Sequence, residues 1–339
     1  MRASIFRRAD GLVPNTAALA YTLAAYIGGL VLLLVASWPG QLIGTLLLAH
    51  ALIVSSYLLH EFAHHSIFAA GATNARWGTL MTWINGSCYA SFADLRRKHV
   101  RHHVDRADVI TFDFKHFLRG SPRALRNLVL ALEWAYVPAV ELIMHAYVIA
   151  LPFLAPQKKY LRMRVLTVVA LRLSAFALLG WYAPAALLGY AVAYLIMLQV
   201  LRFADAYQHT YDTFALLQDG DIPDNKLRDR EYEQRNTYSN VVSLSHPLLN
   251  LLLLNFSYHN AHHERPVEPW YRLPQLHRKL FPAESQHVLP MSQLLAVHHH
   301  YRVSRVLGDD YGEVTRTAAG HLDASKFYGA VGVSFLTSV

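Results

Sequence analysis

Three histidine clusters punctuate the chain: His60-Glu61-Phe62-Ala63-His64-His65, His99-Val100-Arg101-His102-His103 and His259-Asn260-Ala261-His262-His263. With 20 histidines in 339 residues, sixteen positions would hold about one by composition, and these hold nine. Packing gives no reason for such repetition; a metal does. Imidazole suits zinc, copper, iron and nickel alike, so residue type leaves the metal open.

On a helix, His60 and His64 lie one turn apart on one face, and His65 points about 140° away from His60. The ligand pair is therefore His60 and His64, with His65 as the bystander. Each HxxHH cluster spreads its three imidazoles over an arc of about 100°, a usable chelating face. A fourth element is Asp205-Ala206-Tyr207-Gln208-His209, where Asp205 and His209 are again one turn apart. A lone histidine at a helix end is more often structural, and it is the neighbouring clusters that favour His209 as a ligand.

Read alone, His60-Glu61-x-x-His64 is also the zinc-protease motif. Such a site needs three protein ligands and an open position, which leaves two HxxHH clusters without a task. A carboxylate-bridged di-iron bundle would need paired Glu-x-x-His motifs, and neither HxxHH supplies one. Two metals with four or five imidazoles each use the whole set. The natural work of a histidine-rich dinuclear centre beside a membrane is activating O2 at iron.

The elements that position these residues are apolar. The chain is 54% hydrophobic and 16% charged, with mean hydropathy +0.21, which points to a polytopic membrane protein rather than a large soluble domain. The net charge of +8 lies beside apolar segments instead of forming a stripe, so no nucleic-acid partner is expected. A single cysteine, Cys88, excludes a disulfide framework and cysteine-ligated zinc or iron–sulfur sites bound by this chain alone.

Four runs are long enough to cross a bilayer, which takes roughly 20 residues: 15–38, 41–59, 165–183 and 185–203. They form two hairpins, with Trp38-Pro39-Gly40 as the first turn and Pro184 at the second, and Arg172 is the one charge inside the third run. Positive charge collects at the N-terminus (Arg2, Arg7, Arg8), at 96–106 and at 158–164, which places both termini and the connecting region in the cytoplasm. Residues 66–95 read as interfacial or re-entrant. Arg123 to Pro156 reads as amphipathic and interfacial, because Glu133, Glu141 and His145 are costly in lipid and Pro138 would kink a helix.

The predicted fold is all-α and integral to the membrane: one domain over 1–339, with cytoplasmic or interfacial segments at 60–164 and 204–339. The charged stretch Asp219 to Arg235 precedes an apolar run whose end, Leu251 to Leu254, lies along or dips into the cytoplasmic face. The tail after about Pro290 forms a cap without chemistry. His298-His299-His300 reads as a solvated or carboxylate-paired run, and His50, His116, His145, His246, His277, His287 and His321 read as structural. Trp38 and Trp181 fit interface anchors.

HEFAHH after a hairpin, HVRHH some forty residues on, Gln208-His209-Thr210 after the second hairpin and HNAHH in the last third resemble the membrane fatty acid desaturase and hydroxylase family, especially its acyl-lipid desaturases. Glu231-Tyr232-Glu233-Gln234 and Pro269-Trp270-Tyr271-Arg272-Leu273-Pro274 are similar to segments of bacterial members. The resemblance implies two irons held by His60, His64, His99, His102, His103, His209, His259, His262 and His263, with Asp205 as a water-mediated partner and His65 as the alternative first-box ligand. It also implies an O2-dependent oxidoreductase that desaturates a long acyl or related aliphatic chain. Hydroxylation, ketolation or alkane oxidation on the same scaffold is the alternative; a zinc protease or a metal transporter would be another class. No His-Pro-Gly-Gly of a fused cytochrome b5 is present, so electrons are expected from a separate ferredoxin, rubredoxin or cytochrome b5-like carrier. The basic stretch Arg96 to Arg106 would serve either as its dock or only as a topology signal.

Overall fold

The computed structural model describes residues 5–215, 222–281, 288–333 and 336; Arg2, Asp219 and His287 lie outside them. In chain order the helices are α1 Leu12–Val35, α2 Trp38–Ala63, α3 Gly71–Asn85, α4 Phe92–Asp105, α5 Phe114–Gly120, α6 Arg123–Trp134, α7 Ala139–Leu154, α8 Arg162–Tyr182, α9 Pro184–Ala206, α10 Arg230–Arg235, α11 His259–Glu264, α12 Leu273–Leu280, α13 Met291–Tyr301 and α14 Ser304–Leu307. The strands are β1 Asp108–Ile110, β2 Thr213–Ala215, β3 Gly312–Arg316 and β4 Leu322–Phe327. The fold is mostly helical, as predicted, but it is not purely so, since β1 pairs in parallel with β2 and β3 pairs antiparallel with β4.

Among the described residues, α1, α2, α8 and α9 belong to the four stretches long and apolar enough to cross a membrane. Their bounds correct the sequence reading. Trp38-Pro39-Gly40 is not a turn; the chain reverses at Ala36 and Ser37, and Pro39 sits in the first turn of α2, where its missing N–H leaves no bond unmade. At its other end α2 runs past residue 59 and carries His60 and Glu61 inside the helix. The α8 helix starts at Arg162, taking two of the expected flanking arginines into its first turn.

The chain divides into two compact units, one of Met1–Arg96 with Val148–Val200 and the other of Arg97–Tyr147 with Leu201–Ser338. In the first, α1 packs on α2 through two glycines: a Cβ on Gly29 would lie 3.0 Å from the Gly44 carbonyl oxygen, and one on Gly44 would lie 2.9 Å from that of Gly29. Small residues let two apolar helices approach this closely where lipid offers no hydrophobic drive. Beside them, Phe62 and Phe68 stack with centroids 5.9 Å apart, and Phe6 also stacks on Phe68 at 5.3 Å.

In the second unit, Pro138 separates α6 from α7 instead of kinking one long helix. Glu133, at the end of α6, accepts from the Val140 backbone N–H at 2.9 Å and binds Arg202, which lies 3.4 Å from Glu141. The two carboxylates predicted to be costly are thus buried around one guanidinium. Tyr207, Tyr238, Leu294, Val297 and Phe327 form a core joining the end of α9 to α13 and β4. The C-terminal run is correspondingly different from the expectation. His299 and His300 are exposed, but His298 is buried against Phe203 and Tyr207, with no carboxylate beside it among the described residues.

Candidate metal centre

Local links in the second unit draw distant segments together. The register Asp108↔Thr213 brings the chain just after α4 beside the chain just after His209. A bridge pairs His209 with Thr237, and the Asn240 N–H bonds to the Ser257 carbonyl at 3.1 Å. Leu254 and Asn255, both with positive φ, turn the chain into α11, where Asn260 ties the short helix to the Thr237 carbonyl and Ser239.

The result is two groups of imidazoles. His102, His209, His259 and His263 offer ring nitrogens within 4.8 Å of one another. In this group the Nε2 atoms of His102 and His209 are 3.2 Å apart, and those of His209 and His259 are 2.8 Å apart. His99, His103 and His262 converge separately, with Nε2 of His103 at 3.2 Å from that of each partner. The predicted chelating faces are thus split. Each HxxHH sends its i,i+4 pair to one group and its middle histidine to the other, because residues three and four places on lie on opposite sides of the first. His99 and His103 meet His262, while His259 and His263 meet His102.

The outer ring nitrogens decide the tautomers. His102 Nδ1 donates to the Ala107 carbonyl at 2.9 Å, with Asp108 at 3.5 Å. His263 Nδ1 donates to Glu233 at 2.9 Å. The Thr237 hydroxyl gives its hydrogen to the Glu233 carbonyl and so accepts from His209 Nδ1 at 3.3 Å. In all three rings the inward Nε2 is left with its lone pair, and buried Nε2 of His263 has no hydrogen-bond partner among the described residues. Lone pairs facing each other without protons repel, and a bound cation resolves this; outer partners of this kind are the usual support of metal-bound histidine. The donor set fits a metal.

Burial enforces the same state. It holds His209 and His263 well below the usual imidazole range, helped by the neighbouring imidazoles, and lowers His102 to about 4. Burial likewise pushes Asp108 up to about 7 and Lys98 down to about 7.

In the first unit, His60 and His64 face each other at the end of α2, with ring centroids 4.8 Å apart. His65 takes φ 55°; its carbonyl accepts from Arg7, and its ring lies against Gly71. Glu61 is buried, accepts from the Ser66 hydroxyl at 2.7 Å and lies 3.7 Å from His60 Nδ1. Asp205 joins neither group and faces Asp108 and Lys98 instead.

Glu233, Thr237, Asn260 and Asp108 carry the support and were not predicted. Glu233 carries a signal in the sequence, as part of the Glu231–Gln234 segment, and Asn260 lies between two ligand candidates. Glu233 also binds Arg106 at 3.2 Å and approaches His103 as well as His263.

No curated protein matches the chain. Residues 36–295 match the fatty acid desaturase family, so this chain, with its apolar helices and its split histidine clusters, belongs to the fatty acid desaturase family.

Proposed function

We propose that the protein is an O2-dependent di-iron oxidase of long aliphatic chains, acting as an acyl desaturase that introduces a C=C bond. The observation that carries this reading is the reciprocal sharing of two HxxHH boxes between two imidazole groups, an arrangement with a use for two metals and none for one. The proposed ligands are His99, His103 and His262 in one group and His102, His209, His259 and His263 in the other. His60 and His64 are proposed as further ligands on the pattern of the family's first box.

Bound iron would supply what no side chain offers, the reduction of O2 coupled to hydrogen removal from an unactivated C–H bond. The reaction balances when O2 takes two hydrogen atoms, that is two electrons and two protons, from the chain, a further two electrons from the carrier and two protons from solvent, and leaves as two waters. The protein's own part is to hold the rings. Ala107, Thr237 and Glu233 keep Nδ1 protonated, and burial keeps water from the reacting centre.

The electron donor is proposed to be a separate carrier protein, with the boxes and both termini on the cytoplasmic side. Much of the basic stretch is spent internally, which favours its role as a topology signal. Arg96 binds the Ala63 carbonyl, Arg101 binds Asp105, and Arg106 binds Glu233.

Metal analysis of the purified chain, with activity reconstituted alongside, tests the reading. About two irons per chain is the expected result, and one zinc would overturn it. Mass spectrometry of the product separates the loss of two hydrogens from the gain of an oxygen; the latter would assign a hydroxylase.

A further inference from the structure

Arg172 lies ten residues from either end of α8, or about 15 Å from each end. Ionisable groups at that depth are costly and normally pair with an opposite charge. Among the described residues, Arg172 has no such partner. Its Nη1 reaches the Trp83 carbonyl at 3.4 Å and Cys88 Sγ at 3.8 Å, and its other hydrogen-bonding neighbours are the hydroxyls of Tyr89 and Tyr190. Phe176 lies under the guanidinium at 5.2 Å. Arg164, two turns earlier, bonds to the Cys88 carbonyl. Among the described residues, therefore, no carboxylate balances either arginine.

Arg172 also lines a groove of about 480 Å³, within the usual size of a small-ligand site. Away from the arginine the walls are apolar: Leu30, Leu33 and Leu34 of α1, with Leu171 and Leu179 of α8. Along α8 the lining extends from Leu171 and Arg172 to Leu179, and Tyr26 and Tyr190 line it as well.

We propose that this groove binds a long-chain carboxylate, its head on Arg172 and its hydrocarbon among the α1 and α8 leucines. A carboxylate matches the guanidinium fork and is small enough for that depth. A diacyl phospholipid would have to draw its phosphate far below the interface. The assignment concerns binding and does not rest on the proposed reaction.

Native mass spectrometry of the whole chain in detergent, titrated with palmitate, hexadecanol or phosphatidylglycerol, tests it. One palmitate should bind saturably and more tightly than hexadecanol, which has the same tail and no charge. Arg172→Gln should weaken palmitate about tenfold or more, as expected for loss of a charge-assisted hydrogen bond, and should leave hexadecanol unchanged. Arg172→Lys should retain part of the affinity. Leu179→Trp, which fills the apolar part of the groove, should weaken both, and it keeps the test decisive if the glutamine variant does not fold. Equal palmitate binding in Arg172→Gln or Leu179→Trp, equal affinity for hexadecanol and palmitate, or displacement of palmitate by phosphatidylglycerol would each overturn the proposal.

Discussion

His102 and His103 are consecutive in the chain and serve different imidazole groups: Nε2 of His102 lies 3.2 Å from Nε2 of His209, whereas Nε2 of His103 lies 3.2 Å from those of His99 and His262. The same division recurs at His262 and His263. Replacing His102 or His103 with alanine should therefore damage different halves of the centre. Each variant is expected to fall from about two irons to about one per chain and to lose turnover. Iron analysis with Mössbauer spectra checks this, and the iron retained should differ in spectrum between the two variants.

Glu233 orients His263 and is itself held by Arg106. Glu233→Ala should weaken iron binding by about 10- to 100-fold, the usual cost of losing such a support. Glu233→Gln keeps an oxygen for the His263 N–H and should cost less. Chelator competition on both purified variants gives the ranking.

Arg202 sits between Glu133 and Glu141, all three buried. Desolvation raises the Glu133 carboxyl, and the guanidinium opposes this. Arg202→Met should destabilise the protein by about 3–5 kcal/mol because two buried carboxylates lose their shared counter-ion. Adding Glu133→Gln should recover part of the loss, read as the midpoint of thermal unfolding in detergent.

His298 is held neutral, with burial and then Arg305 and Arg202 lowering it from 6.5 to about 2. Between those values the unfolded chain binds a proton that the folded chain refuses, so this residue's contribution is present above about pH 6.5 and is lost as pH falls toward 2. His298→Leu should flatten the fall in stability over that window relative to wild type. Unfolding midpoints measured as a function of pH report the difference in slope.

The apolar runs, the helical class and the three histidine clusters as candidates for metal binding were legible because each rests on local spacing. A helix face needs only residues one turn apart, and a bilayer crossing needs only length and hydropathy. Bounds failed where a local cue had two readings, as at Trp38-Pro39-Gly40, where a turn signal is also a helix start. His298 failed for another reason. Three consecutive histidines look polar from the chain, yet one side of α13 is buried against Tyr207 and only that side decides.

By itself the sequence determined that this is a membrane chain with nine clustered imidazoles, more than one metal can use. Tertiary structure decided how they are divided. Which of two neighbouring histidines joins which group depends on helices brought together by β1–β2 pairing and by Asn260, contacts between residues more than a hundred positions apart or on a loop with no periodic signal. The same holds for Glu233 and Thr237: their role comes from touching a ring nitrogen across the fold, and spacing along the chain carries no record of that contact.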